Sequence, residues 1–132
     1  MLTRDQQYAA TAYDQVNRVK TKEVEAANYK PYGAMAHKLP ILIRTAGLAQ
    51  ALEFVNSRGK PVQKQLLKDL AVTVGQKDIE ALLSYSRSAP LSEYMRLTQQ
   101  TMAALLWYKR FAQSILGVDP SEAALGDDNT NE

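Results

Sequence analysis

The chain has 132 residues, of which 45% are hydrophobic and 23% are charged, a composition typical of one soluble globular domain. It contains no cysteine and one histidine, which excludes disulfide bonds, thiolate nucleophiles and the usual zinc sites. The N-terminus lacks an apolar signal core, and no apolar run approaches the roughly 18 residues that a membrane span needs. We therefore expect a cytoplasmic protein without a membrane partner.

The net charge of +2 conceals an uneven distribution of charges. Residues 1–117 carry all 16 basic residues but nine of the 14 acidic ones, which gives this part a net charge of +7. Such a surplus favours a polyanion as partner, although solubility alone could also account for it. We expect residues 1–117 to form a helical bundle domain and residues 118–132, which are acidic and lack apolar anchors, to form a disordered tail.

The N-terminal part of the chain predicts a helix followed by a loop. Thr3 and Gln6 form a capping-box pattern, and apolar residues then recur at helical spacing to about Ala27. Residues 28–33 (NYKPYG) combine Asn, Pro and Gly, which predicts a loop. The two tyrosines of this loop are the best candidates among the seven tyrosines for contacting an unpaired base or a partner.

The second helix begins after this loop and carries two features that oppose regular helix. Pro40 removes a backbone donor and Gly47 weakens the helix interior, so we expect a kinked or broken helix. Residues 58–61 (RGKP) predict its end, with a left-handed Gly59 and with Pro61 in the first turn of the next helix.

Three more helices complete the predicted fold. A third helix runs to Gly75, and a short fourth helix places Leu82 and Leu83 inward. Residues 90–117 predict a long fifth helix whose apolar residues cover more than one face, as expected at the centre of a bundle. The predicted fold class is all-α, a compact bundle of about five to six helices.

No group of residues in the sequence suggests a catalytic centre. His37 is the only imidazole, and we interpret it as a structural helix residue rather than a catalytic base. The adjacent acids Asp127 and Asp128 lie in the predicted tail, which could not hold carboxylates with catalytic precision. We expect a protein that is not an enzyme and that has no cofactor and no metal site.

Basic residues are the more informative signal. Lys60, Lys64 and Lys68 recur every four residues and could form a ridge that contacts phosphates, and Arg18 and Lys22 form a similar pair on the first helix. For any single residue, an ordinary solvated surface is at least as good an interpretation. The candidate RNA-binding residues are Arg18, Lys22, Lys38, Arg44, Lys60, Lys64 and Lys68.

The last helix has a narrow polar strip that includes Arg110, with Trp107 and Phe111 at its edge. The two aromatic residues are either a protein docking patch or part of a core that extends further than the sequence pattern indicates. We treat Trp107, Arg110 and Phe111 as candidate subunit contacts.

Two segments, 32–55 (YGAMAHKLPILIRTAGLAQALEFV) and 94–116 (YMRLTQQTMAALLWYKRFAQSIL), carry a family resemblance. The stretches 38–40 (KLP), 47–52 (GLAQAL) and 106–112 (LWYKRFA), in this order and spacing, resemble the small helical subunit of type III-B CRISPR effector complexes, the Cmr family. The resemblance covers roughly residues 3 to 117.

The resemblance implies a non-catalytic subunit of an RNA-guided ribonucleoprotein in antiviral defence. Its implied partners are other Cmr effector subunits, copies of itself, and the guide RNA and target RNA along which these copies stack. RNA cleavage is implied to belong to other subunits. The candidate basic residues would then face RNA phosphates without reading sequence, because base pairing with the guide does that.

Two other functions remain open from the sequence. A helical protein–protein adaptor, whose basic surface serves solubility, predicts no RNA in any native complex. An independent RNA- or DNA-binding domain predicts measurable, salt-dependent affinity of the isolated chain for nucleic acid.

Overall fold

The computed structural model describes residues 1–23 and 25–121 and contains six α-helices within them. The helices are α1 (Arg4–Lys22), α2 (Ala26–Ala46), α3 (Leu48–Arg58), α4 (Pro61–Thr73), α5 (Ile79–Ser88) and α6 (Leu91–Ser114). No strand is present among the described residues, so the all-α fold class is confirmed. None of these six helices is long and apolar enough to cross a membrane.

Helix α6 packs most extensively against α1 and α2, whereas α4 contacts each of the other five described helices. The core is continuous and draws on all six helices, with Leu39, Leu66 and Leu105 each fully buried. Burial of this apolar surface is the main stabilising contribution to the fold. Each helix is therefore held in place by its contacts with the others rather than by its own helix propensity.

Helix α1 begins as the sequence predicts. The Thr3 hydroxyl accepts a hydrogen bond from the Gln6 backbone N–H at 3.0 Å, and the Gln6 side chain accepts one from the Thr3 N–H at 2.8 Å. This capping box satisfies two donors that have no partner within the helix. The helix ends at Lys22, earlier than predicted, and α2 already begins at Ala26.

The prediction of a loop at residues 28–33 is wrong, because this segment is the start of α2. Pro31 lies in the second turn, where its missing N–H leaves only the carbonyl of the exposed residue Ala27 without a helical partner. Tyr32 is fully buried, so it is not free to contact a base. Gly33 packs so closely that a Cβ there would lie 2.9 Å from the Val118 side chain, and these tertiary contacts outweigh the local loop signal.

The predicted break of the second helix is confirmed at Gly47, which separates α2 from α3. Gly47 has φ +88, a conformation that favours glycine. The hydroxyl of Tyr94 on α6 accepts a hydrogen bond from the Ala49 N–H at 3.1 Å, which satisfies an unpaired donor in the first turn of α3. Pro40 is accommodated inside α2 without ending it.

The boundary between α3 and α4 lies where the sequence predicts it, but for a different reason. Pro61 is the first residue of α4. Gly59 is extended, with φ −74, so the prediction of a left-handed glycine is wrong. A Cβ at Gly59 would lie close against the Val55 carbonyl oxygen, so the position requires glycine for space.

Two further predictions about burial are corrected by the fold. Leu91, Met95 and Leu106 of α6 are each more than half exposed, because no other described helix covers this side of α6. Val118, which the sequence places in the acidic tail, is buried, so the packed chain extends one residue past the expected boundary at Gly117. Residues 122–132 of the predicted tail lie outside the described residues.

Candidate nucleic-acid interface

A buried carboxylate on α4, that of Asp69, forms the floor of a polar region of the bundle. Asp69 is 2% exposed. The Tyr32 hydroxyl donates to its Oδ2 at 2.6 Å, and the Gln65 side-chain amide donates to its Oδ1 at 2.9 Å. Burial raises the pKa of Asp69, and the hydrogen bonds from Tyr32 and Gln65 and the nearby charges of Arg18 and Lys68 partly offset this rise.

The same floor extends to α6 through Tyr108. The Tyr108 hydroxyl donates to the Asp69 carbonyl oxygen at 3.2 Å, and the Thr73 hydroxyl lies 2.7 Å both from that oxygen and from the Tyr108 hydroxyl. Burial raises the pKa of Tyr108 and of Tyr32, so both remain neutral donors. Side chains from α2, α4 and α6 therefore hold Asp69 in one position.

Above this floor, α1 and α4 form the walls of a groove of about 420 Å³. Its α1 wall carries Arg18 and Lys22, and its α4 wall carries Lys68 and Gln65, with Asp69 between them. We call this feature the α1–α4 groove. Three of the seven candidate RNA-binding residues thus come from two helices to one site, a juxtaposition that the sequence alone does not show.

The other four candidate basic residues do not line the α1–α4 groove. Lys60 is exposed before the first turn of α4, and Lys64 is half-buried one turn further along the same helix. Lys38 lies on another side of the bundle, with its Nζ 5.6 Å from the centre of the Phe54 ring. Arg44 is exposed near the end of α2.

The candidate subunit contacts lie where α1 meets α6. The Trp107 indole N–H donates to Asp5 Oδ1 at 3.0 Å, and its ring stacks on that of Phe111 at 5.8 Å between centroids. Tyr13 meets Phe111 edge-on at 5.5 Å. We call Tyr13, Trp107 and Phe111 the aromatic corner. Trp107 and Phe111 are half-buried against the core, whereas Arg110 is exposed.

His37 occupies a structural position. It is 4% exposed, and its Nε2 lies 2.8 Å from the Val118 carbonyl oxygen, to which it donates. This bond ties the segment after α6 to α2. Among residues 1–23 and 25–121, no three His, Cys, Asp or Glu side chains gather in a way that could hold a metal ion.

Sequence reasoning missed Asp69, the residue around which the groove is built. A signal was present, because Asp69 follows the buried Leu66 by three residues and precedes Thr73 by four. That spacing places the carboxylate on the buried side of α4 rather than on its surface. The partner that allows its burial, Tyr32, lies 37 residues away and could not be recognised from local spacing.

The chain and its described fold have counterparts among known proteins. The family model described as "CRISPR-associated protein (Cas_Cmr5)" matches residues 4–115. The CRISPR system Cmr subunit Cmr5 of Thermus thermophilus is 45% identical over 116 residues, which cover 88% of this chain and 98% of that protein. The crystal structure of a CRISPR-associated Cmr5 family protein from Thermus thermophilus matches with a TM-score of 0.79 and 45% identity, covering 87% of this chain and 98% of the other.

These matches define a class of small, all-helical CRISPR-associated proteins. The chain belongs to the Cmr5 family. The resemblance to the Cmr small subunit that the sequence indicates is therefore confirmed.

Proposed function

We propose that this chain is the non-catalytic small subunit of a type III-B CRISPR (Cmr) ribonucleoprotein in the cytoplasm. In this role, copies of the chain stack along the filament of guide RNA and target RNA and supply a basic surface during antiviral defence. RNA cleavage belongs to other subunits. Family membership supports a place in a Cmr complex, because the relative from Thermus thermophilus is named as a subunit of a Cmr system.

The observation that carries the RNA contact is the distribution of charge over the folded part. Residues 1–117 have a net charge of +7, and Arg18, Lys22 and Lys68 from two helices line one groove. Positive charge placed this way binds phosphates regardless of sequence, which suits a subunit of a complex in which base pairing supplies specificity. Lys38, Arg44, Lys60 and Lys64 extend the proposed surface.

The RNA contact is tested in the assembled complex, because few contacts per copy become strong only when copies are linked. Charge reversal at Lys60, Lys64 and Lys68 should weaken capture of target RNA, most strongly at low salt, where phosphate contacts contribute most to affinity. Charge reversal at the exposed Lys77, which lies outside the candidate set, serves as the control. Unchanged capture by the triple variant at several salt concentrations would remove this face from the proposal.

We propose that contacts to other subunits or to further copies use Trp107, Arg110 and Phe111. The exposed Leu106 lies one turn before Arg110 on the same side of α6 and extends this surface. Because Trp107 also bonds to Asp5, a Trp107→Ala variant tests folding and assembly together. Arg110→Glu and Leu106→Ser change exposed side chains only, and normal assembly of both, and of a folded Trp107→Ala variant, would exclude this surface.

Purification of the tagged protein from its native host at moderate salt distinguishes the protein–protein adaptor from the proposed ribonucleoprotein subunit. Mass spectrometry of the proteins and sequencing of any RNA should recover guide RNA together with several larger subunits. Recovery of a single protein partner without RNA would favour the adaptor and contradict the proposed function.

A further inference from the structure

The α1–α4 groove combines several positive groups with one carboxylate that is already satisfied. Arg18, Lys22 and Lys68 line it, against the single negative charge of Asp69. Each Asp69 oxygen accepts a hydrogen bond from a neutral side chain, Oδ2 from Tyr32 and Oδ1 from Gln65. The carboxylate is therefore held by the bundle, and the groove keeps a net positive charge whether Asp69 is ionised or protonated.

The guanidinium of Arg18 is held on the α1 wall. Its Nη1 donates to the Gln15 side-chain oxygen at 3.1 Å, and Gln15 also lines the groove. A guanidinium carries five N–H donors, and its planar fork matches two oxygens of a phosphate. Lys68 supplies a point charge on the α4 wall opposite. An anion in the groove can therefore be contacted from two helices at once.

We propose that the α1–α4 groove is a binding subsite for one phosphodiester group of single-stranded RNA, with Arg18 and Lys68 as its main contacts and Asp69 as the group that limits its affinity. This inference rests on the proposed function, since it assigns the RNA contact of the subunit to one groove. Lys22 adds attraction at the same site.

The carboxylate of Asp69 distinguishes a specific phosphate site in the groove from a diffuse basic surface. Asp69 lines the groove, so its negative charge lies near the site that the phosphate would occupy, and like charges repel. Asp69→Asn removes the negative charge at nearly constant size. The amide oxygen can still accept from Tyr32, and the amide N–H can donate to Gln65 once the Gln65 amide is rotated. The substitution should therefore tighten RNA binding, which the loss of a purely structural residue would not do.

The experiment measures capture of a labelled single-stranded target RNA by the reconstituted complex as a function of salt. One complex carries Arg18→Gln with Lys68→Gln, and a matched complex carries Lys60→Gln with Lys64→Gln, which removes the same charge outside the groove. Both groove residues are exposed, so the variant should fold. The groove variant should lose roughly tenfold in affinity for the RNA. The slope of log affinity against log salt concentration should become shallower, by an amount that corresponds to about one to two phosphate contacts.

The matched variant should lose less affinity, and Asp69→Asn should bind a few times more tightly than the parent. Equal losses in the two double variants would overturn the subsite while leaving the proposed RNA contact intact. Loss in neither variant would contradict the subsite and the proposed RNA contact together. Weaker or unchanged binding by a folded Asp69→Asn variant, checked by its unfolding midpoint, would also overturn the subsite.

Discussion

The α1–α4 groove and the aromatic corner both use α1, but they satisfy their polar groups in opposite ways. In the groove, a buried carboxylate accepts hydrogen bonds from within the bundle, and the exposed charged residues are positive. In the corner, the rings pack on one another and the indole N–H bonds to the exposed Asp5. Buried polar groups are costly to leave unpaired, whereas exposed ones can turn to water. We therefore expect substitutions in the groove floor to lower the free energy of unfolding and substitutions at the groove rim to weaken RNA binding. Substitutions in the aromatic corner should lower the free energy of unfolding by less than those in the groove floor.

The largest expected effect on stability is at the groove floor. Tyr32→Phe removes the hydroxyl that donates to Asp69 Oδ2 and leaves that oxygen buried without its partner. We expect a loss of about 1–3 kcal/mol in the free energy of unfolding, measured by urea denaturation at neutral pH. The loss should shrink when Asp69→Asn is also present, since a neutral amide needs the hydroxyl less. Equal losses in both backgrounds would show that Tyr32 acts through packing alone.

The second expected effect is a dependence of stability on pH that comes from Asp69. Burial raises the folded-state pKa of Asp69 above its ordinary value of 3.8. The contribution of Asp69 to the free energy of unfolding is therefore fully present below pH 3.8 and is lost as the pH rises through the folded-state pKa. Arg18, Lys68, Gln65 and Tyr32 reduce this loss without reversing it. The free energy of unfolding of the parent, relative to Asp69→Asn, should therefore fall as pH rises above 3.8. A flat difference between the two proteins would contradict this assignment.

A smaller effect is expected in the aromatic corner. Trp107→Phe removes the hydrogen bond to Asp5 but keeps an aromatic ring beside Phe111. Because Asp5 is exposed and water can replace the bond, we expect a loss of at most about 1 kcal/mol, measured by thermal unfolding. Asp5→Asn, which keeps an acceptor, is the matched control. A loss as large as that of Tyr32→Phe would contradict the distinction between the two regions.

The smallest effect on stability is expected at the groove rim. Arg18→Gln removes an exposed charge, and the free energy of unfolding should change by no more than about 0.5 kcal/mol. The same variant should weaken RNA capture if the groove binds phosphate. Chemical denaturation of the isolated chain, compared with capture by the complex, separates the two properties. A large loss in the free energy of unfolding would show that Arg18 stabilises the fold, as the residues of the groove floor do.

Much of the fold could be predicted from the sequence because its signals are local. The capping box at Thr3, the helix break at Gly47 and the first-turn position of Pro61 each follow from the conformational preferences of a few adjacent residues. The family resemblance was also readable, since its motifs are contiguous. The wrong prediction of a loop at residues 28–33 has the opposite origin. The burial of Tyr32 and the close packing of Gly33 come from partners that are distant in the sequence.

The candidate interface was predictable only in part. The sequence by itself determined the basic surplus, the absence of cysteine chemistry and the helical periodicity, because these depend on residue type and spacing alone. Only the tertiary structure decided that Arg18, Lys22 and Lys68 share a groove over Asp69, and that Leu106 remains exposed. The physical reason is that helical spacing shows which residues share a face, whereas the packing of the helices decides which faces meet and which are left to solvent.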